Sequence, residues 1–273
     1  MFLVLVAKQI RDSRWLLGLF STAFFGMSWL TVFMAHRFET LIAQGKLGPD
    51  APRRFGFLRG LGGAAMDYST TALEVCWWNH PFIVLTVLGW AIARGSGAVA
   101  GEIERGTLDL TLSRPVPRWQ FLASQVVASV IGLVILAAAL IMGNLVGTQF
   151  NVVKAAPGID VLIRPALLVF ALGWSIFGYT LPFSVIDGVR WRPGLVGAGL
   201  TLTGLIALSV APQFNENWAW LEKLTVFQWY APMTTAVKNE DLTYNLIVLG
   251  SIGAIGVIIA FLSFQWRDLP SSS

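Results

Sequence analysis

From Gln120 to Val146 the chain runs without one charged side chain. That is longer than the about 20 apolar residues needed to cross the hydrocarbon core of a bilayer. A backbone at that depth has no water to bond, so a run of this kind must be helical. Five further apolar runs follow the same pattern: Trp15–Ala35, Phe82–Ala93, Ala166–Ile186, Gly194–Val210 and Tyr244–Phe264. Only 12% of the 273 residues are charged, against about 25% in soluble domains. The expected fold is an all-α integral membrane protein, a single domain over residues 1–273 with six transmembrane helices and both termini on one side.

The net charge of +4 does not point to nucleic acid in so apolar a chain; it points to loops rich in Lys and Arg. Cys76 is the only cysteine, so there is neither an intrachain disulfide nor a cysteine metal site, and no metal is expected. His36 and His80 read as solvated loop histidines. Residues 1–14 place Phe2, Leu3, Leu5, Val6 and Ile10 beside Lys8, Arg11 and Arg14. This is a basic amphipathic elbow suited to the membrane interface. Residues 36–80 form a long loop on the far side; its Thr71–Glu74 segment has capping-box spacing, and Trp77 and Trp78 mark an interface. Residues 213–243 carry Trp218, Trp220, Trp229 and Tyr230 in apolar pieces too short to span, with Asn215 as a cap for the first.

Gly101–Arg118 is the charged exception. It holds Glu102, Glu104, Arg105, Asp109, Arg114 and Arg118 between two apolar runs, so it must meet water or another protein. Gly106 can end one helix in a left-handed conformation, and Thr107 can cap a short new one. Pro115 and Pro117 stop that element. The alternation over Thr107–Ser113 has the period of a strand, but a lone strand would leave its backbone groups unpaired, so a short helix is expected.

Lys and Arg are almost evenly split between the two sides. Four on the far side (Lys46, Arg53, Arg54 and Arg59) lie in the middle of the long loop, where they weigh least. Both termini and the charged island are therefore expected in the cytoplasm. The apolar cores contain no Asp, Glu, Lys, Arg or His. Ion-coupled transporters and intramembrane enzymes place such groups there, so both readings are disfavoured. No GxxxxGK[ST] loop is present either, so the chain is not an ATPase by itself.

The run Gly101-Glu-Ile-Glu-Arg-Gly-Thr-Leu-Asp-Leu-Thr-Leu-Ser-Arg-Pro-Val-Pro-Arg118 resembles the signature of type-2 ABC transporter permeases, the membrane subunits of type V exporters. The resemblance extends to the basic stretch Ala7–Arg14, the aromatic stretch before the last span and the Phe264–Leu269 ending. Gln125 departs from it, since relatives often carry a Lys there. The family likeness implies a cytoplasmic coupling helix between helices 2 and 3, seated on a separate ATPase subunit that holds ATP and Mg. The residues it assigns to coupling are Glu102, Glu104, Arg105, Gly106, Thr107, Leu108, Asp109, Arg114, Pro115 and Arg118. It also implies a re-entrant hairpin at 213–243, a location in the inner (plasma) membrane and a second permease subunit, identical or not. Transport would proceed by alternating access. A scaffold that works mechanically on an extracytoplasmic partner is the alternative.

The small residues Gly194, Gly197, Ala198, Thr201 and Gly204 make the fifth span the expected dimer interface and wall of the path, because small side chains let helices approach closely. Packing inside one subunit is the competing reading of the same glycines.

Overall fold

The computed structural model describes residues 2–46, 77–113, 116–153, 156–209, 216–237 and 242–267. Among these the regular elements are all helical: α1 (Phe2–Ala43), α2 (Pro81–Gly97), α3 (Ala100–Glu104), α4 (Thr107–Leu112), α5 (Arg118–Phe150), α6 (Ile159–Ile186), α7 (Trp191–Ser209), α8 (Pro232–Val237) and α9 (Leu242–Trp266), with 3-10 turns at Trp77–Asn79, Glu216–Leu224 and Val226–Trp229. The described residues of each of the six apolar runs lie in one helix. By length and composition α1, α5, α6 and α9 can cross a membrane. At 17 residues α2 stands at the lower limit of about 17–25.

The elbow at residues 1–14 is not a separate element. The first helix continues without a break from Phe2 to Ala43. Charge does not end a helix; a breaker or a formed cap does, and neither interrupts α1 at the junction. Of the candidate caps Asp12 and Ser13, Ser13 turns its hydroxyl back to the Gln9 carbonyl at 2.9 Å. At its far end the helix also overruns the expected loop boundary at His36. His36 Nδ1 lies 2.6 Å from the Val152 carbonyl, and His80 caps α2 by accepting from the Phe82 N–H at 3.1 Å. Both histidines are thus structural. The Thr71–Glu74 capping box, Cys76 and Asn215 lie outside the described residues.

α6 is the central helix, packed by α2, α5 and α9. Contacts between helices form where side chains vanish. Pro182 has no N–H to give the Gly178 carbonyl, and α9 backs onto that carbonyl: a Cβ at Gly256 would overlap it. Trp174 Nε1 donates to the Gly250 carbonyl at 3.1 Å on the same seam. α1 lies along α5 through Ser28, whose hydroxyl donates to the Leu140 carbonyl at 2.6 Å, and through Gly147, where a Cβ would stand 2.9 Å from Val32 Cβ. Such close approach replaces the hydrophobic driving force that lipid cannot supply.

The tryptophans divide by role. Trp119, Trp191 and Trp266 are exposed at helix ends, and Trp15 is exposed where the apolar part of α1 begins, as interfacial anchors should be. Trp78 and Trp90 are fully buried. Trp78 therefore packs the interior and does not mark an interface; its carbonyl accepts from the Tyr230 hydroxyl at 2.7 Å. That bond ties the start of α2 to the aromatic stretch ahead of α9.

Candidate functional site

The break between α2 and α3 is held by one side chain of α6. Ser184 Oγ accepts from the Val99 N–H at 3.1 Å and the Ala100 N–H at 3.0 Å, and donates to the Ser96 carbonyl at 2.8 Å. Helix ends leave such backbone groups without partners. Here one buried hydroxyl supplies three. The chain can thus turn sharply at the edge of the bundle without orphaning its backbone.

Gly106 adopts φ +66°, the left-handed conformation expected of it, and separates α3 from α4. Thr107 does not cap α4. It is the first helical residue, the cap position is Gly106, and the Thr107 hydroxyl instead lies 2.6 Å from Glu102 Oε2. The physical reason is Glu102 itself. Its side chain is only 1% exposed and takes Lys8 Nζ at 3.1 Å and Arg105 Nη2 at 2.9 Å. Burial alone would raise the Glu102 carboxyl, but the hydrogen bonds from Thr107 and Lys8 and the charges of Lys8 and Arg105 outweigh it. The result is a carboxyl held below the ordinary value. A buried carboxylate needs such partners.

The island thus splits into a buried half and a presented half. Glu102 and Leu108 point inward, Leu108 at 2% exposure. Glu104, Arg105, Gly106, Asp109 and Leu110 are exposed, with Leu110 at 70%. Glu104 Oε2 accepts from the Arg190 backbone N–H at 3.2 Å, which joins the elbow to the turn between α6 and α7. Arg118 Nη1 donates to the Arg267 carbonyl at 2.6 Å. It holds the C-terminal end of α9, where helix carbonyls lack partners. Arg114 and Pro115 lie outside the described residues.

Sequence reasoning missed the supports. Lys8 was legible as a positive charge but not as the partner of Glu102, and Ser184 carried no signal at all. Arg94 falls in the last turn of α2, where Nη2 donates to Gln125 Oε1 at 3.1 Å and Nε to Ser129 Oγ at 3.3 Å. This accounts for Gln125: an acceptor suits the place where a Lys would face a second cation.

Much of the fifth-span stripe faces its own subunit. A Cβ on Gly197 would stand 2.6 Å from Thr180 Oγ1 of α6, and one on Gly194 would meet Ser96 of α2 at 3.7 Å. Thr201 is buried and its hydroxyl pairs with the Tyr179 hydroxyl. Gly204 faces Phe227. Ala198 is exposed. Packing within one subunit is therefore what Gly194, Gly197 and Thr201 do, because sequence gives the size of a residue and not the direction in which its helix turns it.

A bundle of apolar helices carrying a braced, charged elbow between its second and fifth helices defines a multi-pass membrane protein with a built surface outside the apolar segments. The family model described as ABC-2 family transporter protein matches residues 7–269, and the chain belongs to that family. Members are membrane subunits that normally work with an ABC ATPase partner. No curated protein matches the chain.

Proposed function

We propose that the chain is the permease subunit of an ATP-driven type V ABC exporter. Two copies, or one copy and a related chain, would pair in the inner (plasma) membrane with six spans each, both termini in the cytoplasm, and two ATPase subunits holding ATP and Mg. The observation that carries this reading is α4, which offers exposed Leu110 and Asp109 while Glu102 and Leu108 brace it from behind. A solvated loop has no need of a buried three-partner carboxylate. An element that must transmit force does, since motion of the ATPases reaches the bundle only through a stiff contact. The bundles then rock as rigid bodies and alternate access.

Pairing is supported by the outward face of α7, where Leu195, Gly199, Leu202 and Ile206 are exposed. The 3-10 turns at Glu216–Leu224 and Val226–Trp229 are too short to span and suit the re-entrant hairpin. The test is co-purification of the chain with a co-expressed ABC ATPase subunit from the same genome, as wild type and as the Leu110→Asp, Asp109→Lys double variant. Loss of the complex is expected. Equal binding by the double variant would remove α4 from the interface.

A mechanical role on an extracytoplasmic partner is favoured by one observation. At 42 residues α1 is about 63 Å long, about twice the hydrocarbon thickness of about 30 Å. Its far end is fastened at His36. A partner captured by the wild type and lost when residues 36–43 are replaced by a Gly-Ser linker would decide for that role.

A further inference from the structure

A cavity of about 440 Å³ lies where α7, the two aromatic 3-10 turns, α6 and α9 converge, within the about 300–1,000 Å³ typical of small-molecule sites. Gly204 and Ala207 form one wall, Leu224 and Phe227 a second, and Tyr179 and Ile252 close the remainder. Its surface is almost wholly apolar. The polar groups that reach it are mostly satisfied already. Tyr179 pairs with Thr201. Thr225 Oγ1 donates to the Glu222 carbonyl at 3.1 Å and accepts from the Gln228 N–H at 3.3 Å. Thr203 is exposed. Among the described residues, buried polar atoms without partners belong to Gln9, Ser21, Trp78, Trp90, Gln125 and Asn144, none of which lines this space.

These facts leave few occupants. A buried water needs about two to four polar partners, and apolar cavities without them stay dry. An empty space of this volume would forfeit dispersion contacts along its whole lining. Hydrocarbon has neither problem, and α7 and α9 are apolar along their lengths. We propose that this cavity is a binding site for the hydrocarbon tail of an amphiphile, one acyl chain entering between α7 and the aromatic turns. The same chemistry serves a resident bilayer lipid and the tail of a transported molecule. The site stands whether or not the exporter reading does.

Gly204 provides the test. A Cβ there would meet Phe227 and Thr225 at 3.7 Å, ordinary contact, so Gly204→Leu fills the cavity without moving the backbone. The full chain is reconstituted in phosphatidylcholine vesicles containing a phosphatidylcholine with a mid-chain diazirine, irradiated, and mapped by mass spectrometry. Labelling at Leu224–Phe227 should exceed that at lipid-exposed Val134 of α5. It should fall to the Val134 level in Gly204→Leu and in Ala207→Leu, and persist in Gly199→Leu, whose Cβ meets open space. Labelling no higher than at Val134 in the wild type, or unchanged in both filled variants, would overturn the proposal. With the ATPase added, label lost on ATP turnover marks a transported tail, and label that survives it marks a resident lipid.

Discussion

Lys8 Nζ lies 3.1 Å from Glu102 Oε2, so the first turns of the chain are bonded to the elbow that follows the second apolar helix. The carboxylate is buried while the ammonium is 37% exposed. The energetic weight therefore sits on Glu102, which has lost its water and depends on Lys8, Arg105 and Thr107 to replace it.

Reversing that charge should unfold the elbow. Glu102→Lys would confront Lys8 and Arg105 with a third cation whose own position is buried, and an uncompensated buried charge costs about 3–5 kcal/mol. Its yield and unfolding midpoint in detergent should drop well below those of wild type. Glu104→Lys, at an exposed position, should leave the midpoint close to wild type. Equal midpoints for the two variants would show that Glu102 carries no structural load.

The same carboxylate gives stability a pH signature. Glu102 is held below its ordinary value in the folded chain, so the folded state binds its proton less readily than the unfolded state. Its contribution is complete above the unfolded carboxylate range, about pH 4.3, and is lost as pH falls through the lower folded value. The gap in unfolding midpoint between wild type and Glu102→Gln should be flat near neutrality and close only under acid. A gap that widened on acidification would contradict the direction of the shift.

Leu108 and Leu110, two residues apart on α4, should separate folding from docking. Leu108→Ala removes a buried side chain and should cost about 2–5 kcal/mol. Leu110→Ala changes an exposed one and should stay within about 0.5 kcal/mol, yet weaken association with the ATPase more than Leu108→Val does. Thermal unfolding and titration of the ATPase against vesicle-embedded permease report the two effects. Unimpaired ATPase binding by Leu110→Ala would leave the exposed leucine without a role.

On α7, Gly197→Leu should destabilise the single subunit, because the side chain runs into Thr180. Gly199→Leu should fold normally and weaken pairing, since nothing within its own subunit lies near. Copy-to-copy crosslinking through a cysteine introduced at Leu202, compared with monomer yield, distinguishes them. Pairing that survives Gly199→Leu would move the dimer contact away from this face.

How much of this was legible follows from where the information resides. The six helices could be placed from sequence because apolar length and the demand for internal backbone bonding leave no other structure. Gly106 could be read because its left-handed turn needs a residue without a Cβ. What sequence could not supply was direction. Glu102 and Glu104 are identical in type and two residues apart, yet one is buried under Lys8 and the other exposed beside Arg190. The continuity of α1 through Arg14 was not legible because a basic amphipathic stretch marks an interface and does not say whether the helix bends there. The small residues of α7 were seen, but their partner, Thr180, comes from a helix whose rotation no local pattern encodes.

Ser184 joins the elbow to the bundle and should be the residue through which they communicate. Its hydroxyl serves the Val99 and Ala100 N–H groups and the Ser96 carbonyl at once, and it is fully buried. Ser184→Ala leaves those groups without partners in a place closed to water, at about 1–3 kcal/mol for an unsatisfied buried group. The bundle is held independently by the α1–α5 and α6–α9 seams, so the variant should remain in the membrane with a modest fall in unfolding midpoint. What it should lose is stiffness between α3 and α6. Protease nicking within the elbow should quicken, and ATP hydrolysis by the assembled complex should continue with less work done per ATP. Ser184→Gly removes the hydroxyl as well and should behave alike, whereas Ser184→Cys keeps a weak donor and acceptor and should fall between. If Ser184→Ala nicked no faster than wild type, the splice would be held by something other than this hydroxyl.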